Sequence, residues 1–485
     1  MGSADPVVKA IYFFTMKSYN KLCFVGLLLF LISVSSVAIA QVPIMKIQDA
    51  IQIALTHYKT IDARKNYAEA SKSAVSAVRS QYLPDLNMGA QTAYGTINGI
   101  NGPNYGLPGV STINGGVVSP TQNWNAAFGS LYVANINWQF FAFGSQKANV
   151  KVAQGQYQND LDALGEENFQ VQANVSGAYL NLLSAQRLSL SMQKNLDRAT
   201  TLRNLILTRT INGLNPGVDS AIANAELSKA RLSLLDAQNY QQTQANQLMV
   251  LLGDHQPLIT LDTSFVTHQP NDLGLEQKTA GLQHPMLKYL DSRTKVSELQ
   301  ANAINTSKWP KFSFFTLYQG RGSGFGSDYA TGTNSVINHS LSAGLDPVRT
   351  NYMLGISAVW NLTDLIRTKK RVTTQNYLTT AYQDEYEVQQ SALQDQLSLA
   401  DQRILIAIKQ YNEAPLQLKS AGDAYLQKSS LYQNGLATIV DVTQALYNLN
   451  RAETDHDLAY NSLWQALLYK AATAGDLNLF LSQIH

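Results

Sequence analysis

Two stretches of this chain alternate strictly between apolar and polar positions, and each stretch has a copy further on. Leu86, Met88, Ala90, Thr92 and Tyr94 share one face, with Asp85, Asn87, Gly89 and Gln91 on the other. Phe128, Tyr132, Ala134, Ile136, Trp138 and Phe140 alternate with Asn135, Asn137 and Gln139. The copies are Phe312, Phe314, Thr316 and Tyr318 against Ser313 and Gln319, then Tyr352, Leu354, Ile356, Ala358, Trp360 and Leu362 against Ser357 and Asn361. A period of two over about ten residues, with aromatics near the ends, is the pattern of a transmembrane barrel strand. A soluble antiparallel sheet with one wet face is the alternative. The pattern predicts strands over 85–95, 128–142, 311–319 and 351–362.

Between the strand pairs the period changes to that of helices. From Tyr157, a 4-3 stripe carries Leu161, Leu164, Val171, Val175, Ala178, Leu182, Ala185, Met192, Leu196 and Ala199, with Asn168 and Ser189 as polar exceptions. Small residues on such a seam permit close helix approach. Long helices are predicted over 145–210 and 365–432, and return helices over 219–252 and 440–474. Shorter helices over 46–81 and 282–308 stop at Pro84 and Pro310, because proline removes an amide and restricts its neighbour. A 66-residue helix spans about 100 Å, and the 36- and 34-residue helices span roughly 54 and 51 Å. Two shorter helices end to end therefore match one long one.

The order of parts is doubled. Trp138 recurs as Trp360, Asn212-Gly213-Leu214 as Asn434-Gly435-Leu436, Asp219 as Asp441 and Gly253 as Gly475, each 222 residues on (360 − 138 = 222). Earlier the register drifts, so that Leu83-Pro84 answers Trp309-Pro310 and His57 answers His284. A period this long is no solenoid or propeller unit. It divides the chain into a first repeat over 41–253, an equatorial connection over 254–281, a second repeat over 282–475 and a tail over 476–485. The expected fold is mainly α with a β-barrel part. Helical hairpins carry both tips at one end and four strands at the other. Four strands cannot close a barrel, since the smallest bacterial barrels have eight, so the barrel must be shared between chains.

Composition narrows the class. A net charge of +2 gives no strong field towards nucleic acid, and only 14% of the 485 residues are charged, against about 25% in typical soluble domains. The 24 tyrosines exceed the 15 phenylalanines and 5 tryptophans together, which suits surfaces with one apolar and one wet side. At the N-terminus, Lys17 and Lys21 precede an apolar run from Leu22 to Ile32 and small residues ending Ala38-Ile39-Ala40. This reads as a cleavable export signal over 1–40 with a start at Met1 or Met16, or alternatively as a retained anchor. Cys23, the only cysteine, lies inside it, which excludes disulfides and thiolate metal sites from the mature chain.

Tyr432-Gln433-Asn434-Gly435-Leu436-Ala437-Thr438-Ile439-Val440-Asp441-Val442, running on to Gly475, resembles the second tip turn and ascending helix of the TolC-type outer-membrane efflux proteins. Ala54-Leu55, Leu83-Pro84 and His284-Pro285 also fit that family, so the resemblance covers 46–475. It implies a homotrimer with a 12-stranded barrel in outer-membrane lipid and a helical tunnel reaching into the periplasm. It also implies docking onto a periplasmic adaptor and an inner-membrane pump. The implied role is a passive exit duct for efflux or type I secretion, without enzymatic activity or cofactor. A periplasmic coiled-coil scaffold or adaptor without a barrel is the alternative.

The same resemblance implies the sites. Asp219 matches a carboxylate whose bond to a tyrosine, here Tyr432, holds the tip closed, and Asp441 one that rings the periplasmic entrance. Crowding three such carboxylates would raise their pKa values. From the residues alone, Asp219 and Asp441 could simply be helix N-caps. The turns Asn212-Gly213-Leu214 and Asn434-Gly435-Leu436 match adaptor-docking tips, or are plain left-handed helix ends. Two departures stand out: the family's gating arginine is Ala437 here, and a second entrance carboxylate is Gln444. Gly320-Arg321-Gly322-Ser323-Gly324-Phe325-Gly326 is expected to be an extracellular loop, since no Lys-Ser/Thr follows as a phosphate loop requires. His456 has no second ligand at metal spacing, and Lys369-Lys370-Arg371 is expected to be a solvated run at the barrel mouth.

Overall fold

A computed structural model describes residues 44–99, 118, 121–253, 260–273, 283–329 and 336–484. The expected export signal, with Met16 and Cys23, lies outside the described residues, as do parts of both strand-connecting loops and of the 254–281 connection.

Elements follow in the order β1 (Ile44–Met45), α1 (Ile47–His57), α2 (Lys59–Ser80), β2 (Asp85–Gly95), β3 (Ala127–Phe141), α3 (Ser145–Ile211), α4 (Gly217–Leu252) and β4 (Thr260–Leu261). The second repeat continues with α5 (Pro285–Thr306), β5 (Lys311–Ser323), α6 (Leu341–Leu345), β6 (Pro347–Val359), α7 (Asp364–Gln433), α8 (Ile439–Ala474) and α9 (Asn478–Leu481). The long helices have 67 and 70 residues. At 1.5 Å per residue each runs about 100 Å.

Several bounds differ from those read in the sequence. The helix expected over 46–81 is broken at Tyr58, whose ψ of 117° is extended. The break lets α1 turn its buried face, Ile47, Ala50, Ile51 and Ala54, into the core. β5 runs to Ser323, so Gly320-Arg321-Gly322-Ser323 is strand and not loop. β6 is shifted towards the N-terminus, starting at Pro347 and ending at Val359. The residues that follow turn at once: Asn361 Oδ1 accepts from the Thr363 amide at 3.2 Å and its hydroxyl at 2.7 Å. Pro415 lies inside α7 without ending it.

One antiparallel sheet holds β2-β3-β5-β6 in that order, with β2 and β6 as unpaired outer strands among the described residues. Its register aligns the apolar faces of all four strands. Met88 lies opposite Ala134, Ala134 opposite Tyr318, and Tyr318 opposite Tyr352. Leu86, Ile136, Thr316 and Leu354 form the next row. Below the sheet, α3 packs against α2 and α4 on one side and against α5 and α8 on the other, and α7 packs against α5 and α8. The order across the layer is therefore α2/α4, α3, α5/α8, α7. Being central, α3 buries two faces: Val171, Val175, Ala178, Leu182 and Ala185 of the expected stripe, and also Tyr179, Leu180 and Leu183. The main core lies at the level where α1, α3, α4 and α8 meet, and Phe480 of the tail is wholly buried in it.

Repeated residues make repeated contacts. Trp138 Nε1 donates to the Tyr82 carbonyl at 2.9 Å, and Trp360 Nε1 to the Lys308 carbonyl at 3.0 Å. Each bond ties the helix-proximal end of a strand to the residue two before a helix-ending proline. At the opposite level, Gly253 (φ +68°) adjoins His57 and Gly475 (φ +79°) adjoins His284. The two strand-to-helix junctions, however, differ. After β3, Phe143 and Gly144 both take left-handed φ (46° and 81°), and the Phe143 ring stacks on Trp309 at 5.5 Å.

Candidate functional site

Both tips end helices with glycine in the left-handed region, Gly213 at φ +72° and Gly435 at φ +76°. The Leu214 amide reaches back to the Arg209 carbonyl at 2.9 Å and the Leu436 amide to the Leu431 carbonyl at 2.8 Å. The Gly213 and Gly435 amides reach the Thr210 and Tyr432 carbonyls at 3.0 Å each, completing a Schellman motif at both turns. This tight closure leaves Ile211, Leu214, Val218, Leu436 and Val440 exposed as an apolar fringe. Behind it, Leu202, Ile206, Ala223, Tyr432, Ile439, Val442 and Leu446 form a small core that locks the two hairpins together.

Asp219 and Tyr432 do come together, through a residue the sequence did not single out. Asn215 Nδ2 lies 2.7 Å from Asp219 Oδ2 and 2.7 Å from the Tyr432 hydroxyl. Arg209 Nε donates to Asn215 Oδ1 at 2.9 Å, and Arg209 Nη1 donates to the Gln433 carbonyl at 2.8 Å. The guanidinium also stands over the Tyr432 ring, 5.9 Å from its centroid. The three partners fix the amide orientation, since arginine can only donate and a carboxylate only accept. Burial, and after it the charge of Asp219, raises the pKa of Tyr432, so its hydroxyl stays protonated. Arg209 thus supplies, from the first hairpin, a cation across the tip seam; position 437 holds alanine.

The expectation that Asp219 and Asp441 are N-caps is corrected. Each is the third residue of its helix. Pro216 precedes α4 and makes no side-chain cap, while Thr438 caps α8. The Asp441 amide donates to Thr438 Oγ1 at 3.2 Å, and Asp441 Oδ2 accepts from the Thr438 amide at 3.0 Å. That is a reciprocal capping box, visible in the sequence as Thr-x-x-Asp. The second Asp441 oxygen lies 3.3 Å from Lys428 Nζ. The Thr438 hydrogen bonds first, then Lys428, hold the Asp441 pKa below the usual carboxylate value. The opposite shift expected from crowding would need three copies around one axis. Gln444 bonds to Asn448 at 3.1 Å.

His456 lies 3.5 Å from Asp457 and its ring 4.4 Å from that of Tyr460, a packed surface position. Lys369, Lys370 and Arg371 are exposed on the first turns of α7.

An amphipathic, open-edged sheet continues into helical hairpins about 100 Å long. Residues 50–254 match the family model "Outer membrane efflux protein". The fold of the whole chain is similar to the CusC channel, with 13% identity over 89% of this chain and 92% of that one and a TM-score of 0.72. VceC of Vibrio cholerae gives 15%, 89%, 96% and 0.69. The open state of MtrE of Neisseria gonorrhoeae gives 15%, 89%, 89% and 0.66. No curated protein is significantly similar in sequence.

Proposed function

We propose that this chain is one subunit of a passive outer-membrane exit duct serving efflux or type I secretion. The observation that carries this is the sheet. Its apolar faces align across all four strands, both its edges are open, and its strands pass directly into the long helices. In hydrocarbon an open edge is untenable, so closure requires further copies. Three copies give 12 strands and two give 8; the family favours three. A scaffold without a barrel would have no use for such a face, and this alternative is set aside.

The mature chain begins after a cleaved signal over 1–40 and carries its tips into the periplasm. There the apolar fringe around Asn212-Gly213-Leu214 and Asn434-Gly435-Leu436 docks a periplasmic adaptor, which couples the duct to an inner-membrane pump. Asp219 and Tyr432, joined through Asn215, keep the tips closed, and Asp441 faces the entrance. Native mass spectrometry of detergent-extracted protein tests this by counting chains. Three chains that conduct ions in a planar bilayer are expected, and a stable, non-conducting monomer overturns the reading.

A further inference from the structure

The Gly-rich segment at the outer end of β5 holds a charge arrangement that the duct reading does not use. Register places Arg321 directly opposite Arg349 on β6, and Leu131 opposite Arg321 on β3. Like charges directly opposite on one face, with Cβ atoms about 5 Å apart, repel. Among the described residues neither arginine has an ion-pair partner, and both are exposed. They share a mixed face with Gln91, Leu131, Val133, Asn135, Leu317, Gln319 and Asn351, the face that alternates with the apolar rows. The nearest acid on that face of the sheet is Asp85, six residues down β2 from Gln91, about 20 Å away. The α6 segment does not answer the charge, because it packs on the opposite face, where Tyr132 donates to the Leu345 carbonyl at 2.9 Å. Gly322 is required by that packing: a Cβ there would lie 2.4 Å from the Gly344 carbonyl.

We propose that Arg321 and Arg349 form an anion-binding ring at the outer end of the lumen. This rests on the duct reading, in which three copies would bring six guanidinium groups around the exit. Paired guanidinium groups suit the bidentate geometry of carboxylate and phosphate. Their lumenal face commits the ligand to soluble carboxylate or phosphate groups, including those of passing cargo, and not to lipid headgroups.

The test compares wild type with the Arg321→Gln/Arg349→Gln variant in planar bilayers under a KCl gradient. Because both share one tip, the entrance contributes equally. The chloride-to-potassium permeability ratio should fall at least roughly twofold in the variant. Inorganic phosphate added on the outer side should shift the wild-type reversal potential towards potassium and leave the variant unmoved. Changing zwitterionic for anionic lipid should leave the difference between the two proteins intact, and a difference that follows the lipid overturns the lumenal assignment. Equal selectivity and equal phosphate response in two conducting channels overturn the ring alone. A wild type that forms no channel overturns the duct and the ring with it. Should the double variant fail to assemble, Arg349→Gln, which removes half the charge, must give an intermediate shift, and an unshifted single variant counts against the ring.

Discussion

Asn215 donates to the hydroxyl of Tyr432 at 2.7 Å, joining the two hairpin tips across 217 positions of sequence. Its carboxamide oxygen is taken by Arg209, and its nitrogen also lies 2.7 Å from Asp219. One small side chain therefore holds a tyrosine, a carboxylate and a guanidinium in register. Asp219 and Tyr432 are thus neighbours within one network that joins the two hairpin tips.

Asn215→Ala should open the tip as far as Tyr432→Phe combined with Asp219→Ala. Hydrogen bonds to charged groups contribute about 1.5–3 kcal/mol each, and members of one network are not additive. Single-channel conductance in planar bilayers should rise to the same level in both variants. A rise in the double variant with Asn215→Ala unchanged would show that Asn215 only follows its neighbours.

Gly475→Ala should destabilise more than Gly253→Ala, although the two glycines are repeat equivalents. Both hold left-handed φ, which costs an L-residue roughly 1–2 kcal/mol. A Cβ at Gly475 would approach His284 to 2.8 Å, whereas at Gly253 the nearest atom, the His57 carbonyl oxygen, lies at 3.3 Å. The His284 ring cannot retreat freely, since Nδ1 accepts from Met286 and Nε2 donates to the Ala472 carbonyl. The added overpacking costs about 1–3 kcal/mol. Thermal unfolding in detergent should order the melting points as wild type, Gly253→Ala, then Gly475→Ala.

Trp138→Phe and Trp360→Phe should each cost about 0.5–1.5 kcal/mol, the net worth of a hydrogen bond whose ring is otherwise replaced in kind. The pair are far apart in the sheet, so their effects should add. The temperature at which the assembled protein dissociates on a gel should fall in two equal steps. A loss confined to one of them would mean the two junctions are not equivalent in strength, as the strained Phe143-Gly144 turn in the first repeat already hints.

The long helices, their turns and the strand alternation were legible because each is a local periodic signal bounded by Pro or Asn-Gly. The β5–β6 bounds were not, because Gly320 and Gly322 read as loop. Both are strand residues, and Gly322 is kept small by its packing against the Gly344 carbonyl. Tyr58 breaks a helix with neither glycine nor proline near it, since burial of α1 overrides propensity. Pairs such as β1 with β4 are two residues long and carry no pattern. At the tips, the residue types at Asp219, Tyr432 and Asp441 could be matched, but Asn215, Arg209 and Lys428 act through contacts between hairpins or across a turn, and no window along the chain contains them together. Thr438 is legible in the sequence through its Thr-x-x-Asp capping box with Asp441.

Asp441 is the position where two roles now compete for one carboxylate. Its depressed pKa means the α8 cap is fully formed above the unfolded value near 3.8 and is lost as pH falls through the lower folded value. The acid limb of unfolding should therefore flatten in Asp441→Asn. An entrance ring built from Asp441 must also share each carboxylate with Lys428, 3.3 Å away, so a resting wild-type channel should prefer cations only weakly. Lys428→Gln frees that oxygen. It should strengthen both cation preference and block by multivalent cations added on the periplasmic side, while Asp441→Asn abolishes the block with assembly intact. The pair of variants separates the roles. If Lys428→Gln leaves selectivity unchanged and Asp441→Asn alters only the acid limb, Asp441 caps its helix and does not face the permeating ions.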